Sequence, residues 1–361
     1  MARSLQVGIV GILLLGAAFG LGSLDAVGPL ASPEGVSFCP SRDPGPNAGW
    51  IRVPDDFWTV MEAVEVAVQQ GLYRVWIGPG RYFVRWPDSP STAPPNLGEI
   101  LLCGLGPGFT VLLHPGLVDD YTPFDAHPPS IDPSFYVRPE EGQEALLEGF
   151  TLIGAKVTIS AGKAARVVLR NVQILSPGGP QGPDPLGWDG ITLYTVEEGA
   201  QVVLEGVTIQ GAAQGIDISS SGKGEILLQD VLISGNEGEG LFLHGSTRTL
   251  LLRSRVVYNG SRGISMDMQP WLIIRDSEIA HNRYDGIDVG SGGLLEVYNT
   301  RIFANGGYGI RLFMEACEER WEASYPSFSG KIRGRGNEIF DNAQGDLCPE
   351  DYTWPEGFQQ P

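Results

Sequence analysis

Residues 201–244 read QVVLEGVTIQGAAQGIDISSSGKGEILLQDVLISGNEGEGLFLH, and the same pattern is written twice in them. Leu204 and Leu228 are each followed by a turn-type residue, Gly206 or Asp230, and then by Ile209 or Ile233. A glycine, Gly215 or Gly240, then opens a short alternating strand, GIDI or GLFL.

The pattern extends in both directions, from about Arg166 to Leu347. Its first apolar position is Leu169, Leu204, Leu228, Leu252, Ile274 and Val297, with Gly334 in the last copy. Its second is Ile174, Ile209, Ile233, Val257, Ile279, Ile302 and Ile339. Between them stand Asn171, Gly206, Asp230, Ser254, Asp276, Asn299 and Gly336, residue types that tolerate a tight or left-handed turn. Uninterrupted copies are 22 to 24 residues apart. The glycine strands start at Gly190, Gly215, Gly240, Gly263, Gly286 and Gly309. Alternation puts Ile191, Ile216, Leu241, Ile264, Ile287 and Ile310 on one inward column. Asn236, Asn259, Asn282, Asn305 and Asn342 recur at one corner, where stacked amides can share hydrogen bonds.

A period this short leaves no room for the helical crossover of an ordinary parallel sheet. It also lacks the length of a propeller blade and the consensus of a leucine-rich repeat. The remaining solution is an all-β solenoid with about three short strands per turn. Each coil buries its apolar side only when the next stacks on it. Before the repeat, Thr59 and Glu62 form a capping box, Met61, Val64 and Val68 recur at helical spacing, and Gly71 stops the run. This predicts a cap helix over the first coil, shielding strand edges that would otherwise pair with another chain. Strands are expected at Arg74–Ile77, Arg81–Val84, Glu99–Cys103 and Thr110–Leu113.

The runs VPDDFWTVMEAVEVA, VWIGPGRYFV and LLCGLGPGFTVL, with the coils that follow, resemble pectate-lyase-like right-handed β-helix proteins, including the NosD-like repeats. The resemblance covers about Val53–Leu113 and Arg166–Leu347. It implies a right-handed single-stranded parallel β-helix with an N-terminal capping α-helix. It does not fix function, because the scaffold carries lyases, hydrolases, esterases and binders alike. The catalytic motifs of the superfamily are not matched. Trp188-Asp189-Gly190 is only a fragment of the polygalacturonase pattern, and the esterase signature is missing. No Met/His/Cys cluster supports the copper-enzyme accessory role that NosD-like repeats imply.

The chain has 361 residues, with 43 Asp plus Glu against 24 Lys plus Arg, a formal charge of −19. That balance argues against nucleic acid and anionic lipid partners and suits a protein that binds neutral glycans or cations. Residues 1–26 read as an export signal, with Arg3 before an apolar run; an uncleaved anchor is the rival reading. Residues 27–52 form a linker, 53–348 the β-helix and 349–361 a tail. A secreted, periplasmic or cell-surface monomer is expected. Cys39, Cys103, Cys317 and Cys348 contain no Cys-x-x-Cys pair, which argues against zinc. Four cysteines allow three pairings, of which the local one joins Cys39 to Cys103 and Cys317 to Cys348; an exported chain favours disulfides over free thiols.

Function is expected in the insertions or on the outward face of the glycine strands. The insertions are Trp86–Asn96, His114–Glu144 (with Asp119, Asp120, Tyr121, Phe124 and Tyr136), Ser176–Gly187 and Met314–Gly330 (with Glu315, Glu318, Glu319 and Trp321). The outward face carries one row of Thr192, Asp217, Phe242, Ser265, Asp288 and Arg311, and a second of Tyr194, Ser219, His244, Asp267, Gly290 and Phe313. Asp189, Glu239 and Asp285 lie just before the glycines.

Coils stacked ~4.8 Å apart put His244 beside Asp267 and Arg311 beside Asp288. The Asp267–Asp288 separation of about 8 Å suits an inverting glycosidase. The catalytic candidates are therefore Asp267, Asp288, His244 and Arg311. Tyr194, Asp217, Phe242 and Phe313 are the ligand-binding candidates, with the aromatic rings stacking on sugars. The acidic face also admits calcium. The reading that fits best is a non-catalytic β-helix that binds a glycan or a surface partner. The alternatives are a polysaccharide hydrolase or lyase and a structural surface protein. His114, His127 and His281 have no partner at metal-site spacing.

Overall fold

A computed structural model of the chain describes residues 39–83, 100–104, 107, 110–113, 134–175, 189–220, 222–317 and 328–358. Residues 38–361 form one compact unit. Among the described residues the strands form three parallel sheets of eleven, ten and nine strands, here sheets A, B and C. From Ile100–Gly104 onward each coil contributes one strand to A, then B, then C, and successive coils pair in register, as in Arg166–Arg170 on Gln201–Glu205 on Glu225–Gln229. The molecule is a right-handed parallel β-helix.

The inward columns form one continuous core. In sheet B they are Ile174, Ile209, Ile233, Val256, Ile279 and Ile302, and in sheet C they are Ile191, Ile216, Leu241, Ile264, Ile287 and Ile310; all are fully buried. The sheet A column runs Leu169, Leu204, Leu228, Leu251, Ile274, Val297. Three expected positions therefore shift by one residue. Leu251 replaces Leu252, Val256 replaces Val257, and the left-handed turn residue is Arg253 (φ 47°), not Ser254. Three consecutive leucines, Leu250 to Leu252, hide which one faces inward. Leu252 instead pairs with Gln229 on the outer face, half-buried.

Two polar ladders bind the coils at their corners. Each asparagine amide donates to the next Oδ1: Asn236 to Asn259 at 2.9 Å, Asn259 to Asn282 at 2.9 Å, Asn282 to Asn305 at 3.0 Å and Asn305 to Asn342 at 2.9 Å. The same Oδ1 atoms accept the backbone N–H of the coil before, so buried polar groups at this corner are satisfied from within the stack. At the A–B corner, Ser254, Ser277, Thr300 and Asn337 do likewise. The N–H groups of Val231, Ser254, Ser277 and Thr300 donate to them in turn.

The ends are closed. Helix Val60–Gln69 begins at Thr59, whose Oγ1 accepts the Glu62 N–H at 3.3 Å and donates to the Glu62 carboxylate at 3.0 Å. It packs on strands Ile51–Val53 and Arg74–Ile77 through Val60, Met61, Ala63, Val64 and Ala67, and Gly71 stops it at φ 65°. Val68, expected on the buried face, is exposed. At the other end Trp354 and Phe358 are buried against the last coil. A Cβ at Gly334 would run into the Val297 carbonyl oxygen and stand 2.7 Å from the Phe358 ring, which explains why a glycine interrupts the sheet A column there.

Cys39–Cys103 and Cys317–Cys348 are disulfides, the pairing expected. Two disulfides are the chemistry of an extracytoplasmic compartment. Strands fall within one residue of expectation at Gly80–Phe83 and Ile100–Gly104. The stretch 114–144 is not all insertion: Ser134–Val137, which holds Tyr136, is the first strand of sheet C. Asp119, Asp120, Tyr121, Phe124, Glu318, Glu319, Trp321, His114 and His127 lie outside the described residues, as do 86–96, 176–187 and the segment 1–26. His281 stacks on Tyr258, with ring centroids 4.8 Å apart.

Candidate functional site on the outer face of sheet C

The outward row Thr192, Asp217, Phe242, Ser265, Asp288, Arg311 is in register across six strands. At its upper end two carboxylates sit one coil apart. Asp189 accepts the Thr192 hydroxyl at 3.1 Å, and Asp217 accepts the Ser219 hydroxyl at 2.7 Å. Burial pushes the Asp189 carboxyl above the usual range, and the neighbouring Asp217 adds to this; Thr192, Lys156 and a backbone N–H oppose it. Burial also raises Asp217, against the Ser219 hydrogen bond and the nearby His244. Both groups therefore hold protons more tightly than free aspartate, and a protonated carboxyl can donate as well as accept.

Beside them, Phe242 and His244 stack with centroids 6.0 Å apart, and His244 Nδ1 lies 3.3 Å from Asp267 Oδ2. Tyr194 is 53 % exposed, at a register shift between Leu193 and Thr195 that turns the strand outward. The structure thus brings Tyr194, Asp217, Phe242, His244 and Asp267 to one accessible stretch.

The lower end differs from expectation. Asp288 and Arg311 occupy outward positions yet are only 6 % exposed. Arg311 holds Asp288 through both oxygens, Nε to Oδ1 at 3.0 Å and a terminal nitrogen to Oδ2 at 3.2 Å. Arg311 Nε also lies 3.1 Å from Asp285 Oδ2, and Arg262 Nε lies 3.0 Å from Asp288 Oδ2. Burial raises the Asp285 carboxyl, with Arg311 foremost in opposing it, and the Tyr308 N–H donates to it at 2.7 Å. Two guanidiniums stand against these two carboxylates, and Arg262 also lies 3.8 Å from Glu239 Oε1, so the charges here offset one another. The Arg311 guanidinium stands 5.9 Å from the Phe313 ring. Sequence reading missed Arg262. The column just before the glycines, Glu239, Arg262, Asp285, alternates in sign and would have revealed it.

Among the described residues no group of three His, Cys, Asp or Glu is arranged to hold a metal ion, so the calcium expectation finds no ligand set there. No helix among them is long and apolar enough to cross a membrane.

Several solved structures share the architecture. The A-module of the Azotobacter vinelandii mannuronan C-5 epimerase AlgE4 aligns over 80% of this chain and 90% of its own, at 16% identity and TM-score 0.50. The catalytic domain of a GH87 α-1,3-glucanase, solved with nigerose, covers 89% of this chain and 68% of its own, at 11% identity and TM-score 0.44. The periplasmic alginate epimerase AlgG covers 67% and 81%, at 13% identity and TM-score 0.39. At these identities the likeness is one of fold, a fold shared with carbohydrate-active enzymes. No curated protein sequence matches the chain. Residues 189–346 match the family model described as a right-handed β-helix region, the same coils that carry the face described above.

Proposed function

We propose that the chain is an extracytoplasmic polysaccharide-binding β-helix whose ligand lies across the outer face of sheet C. The observation that carries this reading is one accessible stretch of the face on which aromatic rings stand beside carboxyl groups. Tyr194 and Phe242 offer apolar faces, and Asp189, Asp217, His244 and Asp267 offer hydrogen-bonding partners beside them. That is the composition a sugar surface selects, since its C–H faces pack on rings and its hydroxyls need paired donors and acceptors. Asp288 and Arg311 act in this reading as positioning residues that hold the strand face flat, not as acid and base.

A second reading, hydrolase or lyase, is favoured by one observation: Asp189 and Asp217 both bind protons tightly, as a general acid must. The structural-protein reading predicts no ligand at all. The test is calorimetry of the full chain against a polysaccharide panel, with new reducing ends and unsaturated products scored in parallel. Native binding lost in His244→Ala and Phe242→Ala, with no product formed, supports the binder. Product formation lost in Asp217→Asn supports the enzyme. If no polysaccharide binds, or both alanine variants bind like the native chain, the sheet C reading is wrong.

A further inference from the structure

Acidic residues outnumber basic ones 43 to 24 in the chain, yet the outer face of sheet A reverses that balance over its last coils. Register places Arg248, Trp271 and Lys331 in one outward row, Glu296 and Arg333 in the next, and Arg275, Tyr298 and Arg335 in the third. Glu296 is 1 % exposed, and both its oxygens are taken, by Trp271 Nε1 at 3.1 Å and the Tyr298 hydroxyl at 2.9 Å. It fixes the two rings, and each of its oxygens already accepts a hydrogen bond. The Arg275 guanidinium stands 5.1 Å from the Tyr298 ring, and its Nε is buried with no hydrogen-bond partner. Arg248 is paired with Glu225, whereas Arg275, Lys331, Arg333 and Arg335 form no ion pair among the described residues. Lys331, Arg333 and Arg335 are exposed.

We propose that this face of sheet A is a second binding surface, for a short carboxylate-bearing oligosaccharide held by Arg275, Lys331, Arg333 and Arg335. Alternate residues on one strand lie about 6.6 Å apart and two coils about 10 Å, so the cations span a few sugar units. Three of the four are arginines, whose planar fork matches a carboxylate through two hydrogen bonds. Nucleic acid fits less well. Four cations fall short of the roughly 6–10 phosphate contacts of a salt-sensitive DNA binder, and the net charge of −19 repels a long polyanion. Lys331–Arg335 is the last strand of sheet A, and the turn Glu356–Phe358 packs on it, so an acidic peptide could add there as a strand only by displacing that turn. The surface lies on a different sheet from the sheet C row, so either can fail alone.

The test is calorimetry of the full chain with a uronic acid hexasaccharide, its carboxyl-reduced counterpart, a short single-stranded oligonucleotide and a poly-glutamate peptide. The native chain should bind the uronic acid ligand, more weakly as salt rises, and should bind the reduced sugar at least about tenfold less well. The double variant Arg333→Ala/Arg335→Ala should lose about tenfold or more in affinity for the uronic acid ligand. Its melting temperature should be unchanged because both side chains are exposed, and Arg283→Ala, which removes an exposed charge that lies on neither face, should bind like the native chain. The proposal is overturned if the native chain ignores the uronic acid ligand, if the double variant binds as well as native, or if the reduced sugar binds equally. It is also overturned if the oligonucleotide or peptide binds more tightly, or if Asp217→Asn alone abolishes binding.

Discussion

Asp288 and His244 stand on the same outward face, and their burial sets them apart. Asp288→Asn leaves Arg311 and Arg262 without their shared carboxylate in a nearly dry network, and removing one partner of such a pair costs about 3 kcal/mol. Urea unfolding should show that loss, where solvated outward aspartates would show almost none. His244→Ala, at a half-buried position with an exposed ion-pair partner, should change stability by less than about 0.5 kcal/mol while weakening glycan binding. The pair Asp189 and Asp217 sets a pH dependence of the opposite sign to the usual carboxylate. Their folded pKa values lie above those of the unfolded chain, so just above the ordinary aspartate range the native state binds more protons. Their contribution to stability therefore falls as pH rises through that window. Thermal melts across a pH series should show this slope flattened in Asp189→Asn/Asp217→Asn, with the variant at least as stable as native near neutrality. The neighbour relations His244–Asp267 and Asp288–Arg311 were legible in the sequence, because a repeat period fixes which residues stack. Burial was not legible. It depends on Arg262 reaching Asp288 from the adjacent coil; the alternating column Glu239, Arg262, Asp285 marks these charges as partners but carries no information on their exposure.

At the scale of the elements, the two corner ladders give a direct comparison. Asn282→Ala removes the acceptor for the Asn259 amide and backbone N–H, and the donor to Asn305 Oδ1 and the Val256 carbonyl, all in a buried corner. Leaving these groups unpaired should cost about 2–4 kcal/mol, measured by denaturant unfolding. Ser277→Ala strands only the Ser254 N–H and one short local bond to the Arg275 carbonyl, so its cost should be the smaller, about 1–2 kcal/mol. The asparagine row was legible because one residue type repeats at one offset. The hydroxyl row was not, because it changes chemistry from coil to coil, Ser254, Ser277, Thr300, Asn337, and is recognised only by what each side chain accepts. The same coil hid its register. The outward Leu250 and Leu252, both half-buried, break the alternation, so TLLL at 249–252 admits two phases. The buried Thr249 resolves it, an inward polar residue that hydrophobic patterning assigns to the outside.

For the whole molecule, the stack and its N-terminal cap follow from periodicity and a helix start signal, but the C-terminal closure leaves no such trace. Residues 349–358 carry no repeat and hold two prolines, so they read as a tail; their work is done by Trp354 and Phe358. The Trp354 indole donates to the Pro349 carbonyl at 2.9 Å, and the Phe358 ring fills the space that Gly334 leaves open in the last coil. Without this cap the strands Lys331–Arg335, Glu338–Phe340 and Gly345–Cys348 would end the three sheets with unpaired edges and an uncovered apolar end, the arrangement that invites another chain to continue the ladder. The Cys317–Cys348 bond, which closes 31 residues onto the last sheet C strand, holds the base from which the cap departs. A chain ending at Cys348 should therefore keep the coil content of the full protein by far-ultraviolet circular dichroism yet associate with rising concentration in sedimentation velocity, where the full chain stays monomeric. Trp354→Ala with Phe358→Ala should reproduce the effect at full length, which separates the buried rings from mere chain length. If both variants remain monomeric at concentrations where the full chain does, the last coil is guarded by its own charged edge, and the C-terminal residues serve only to fill the core.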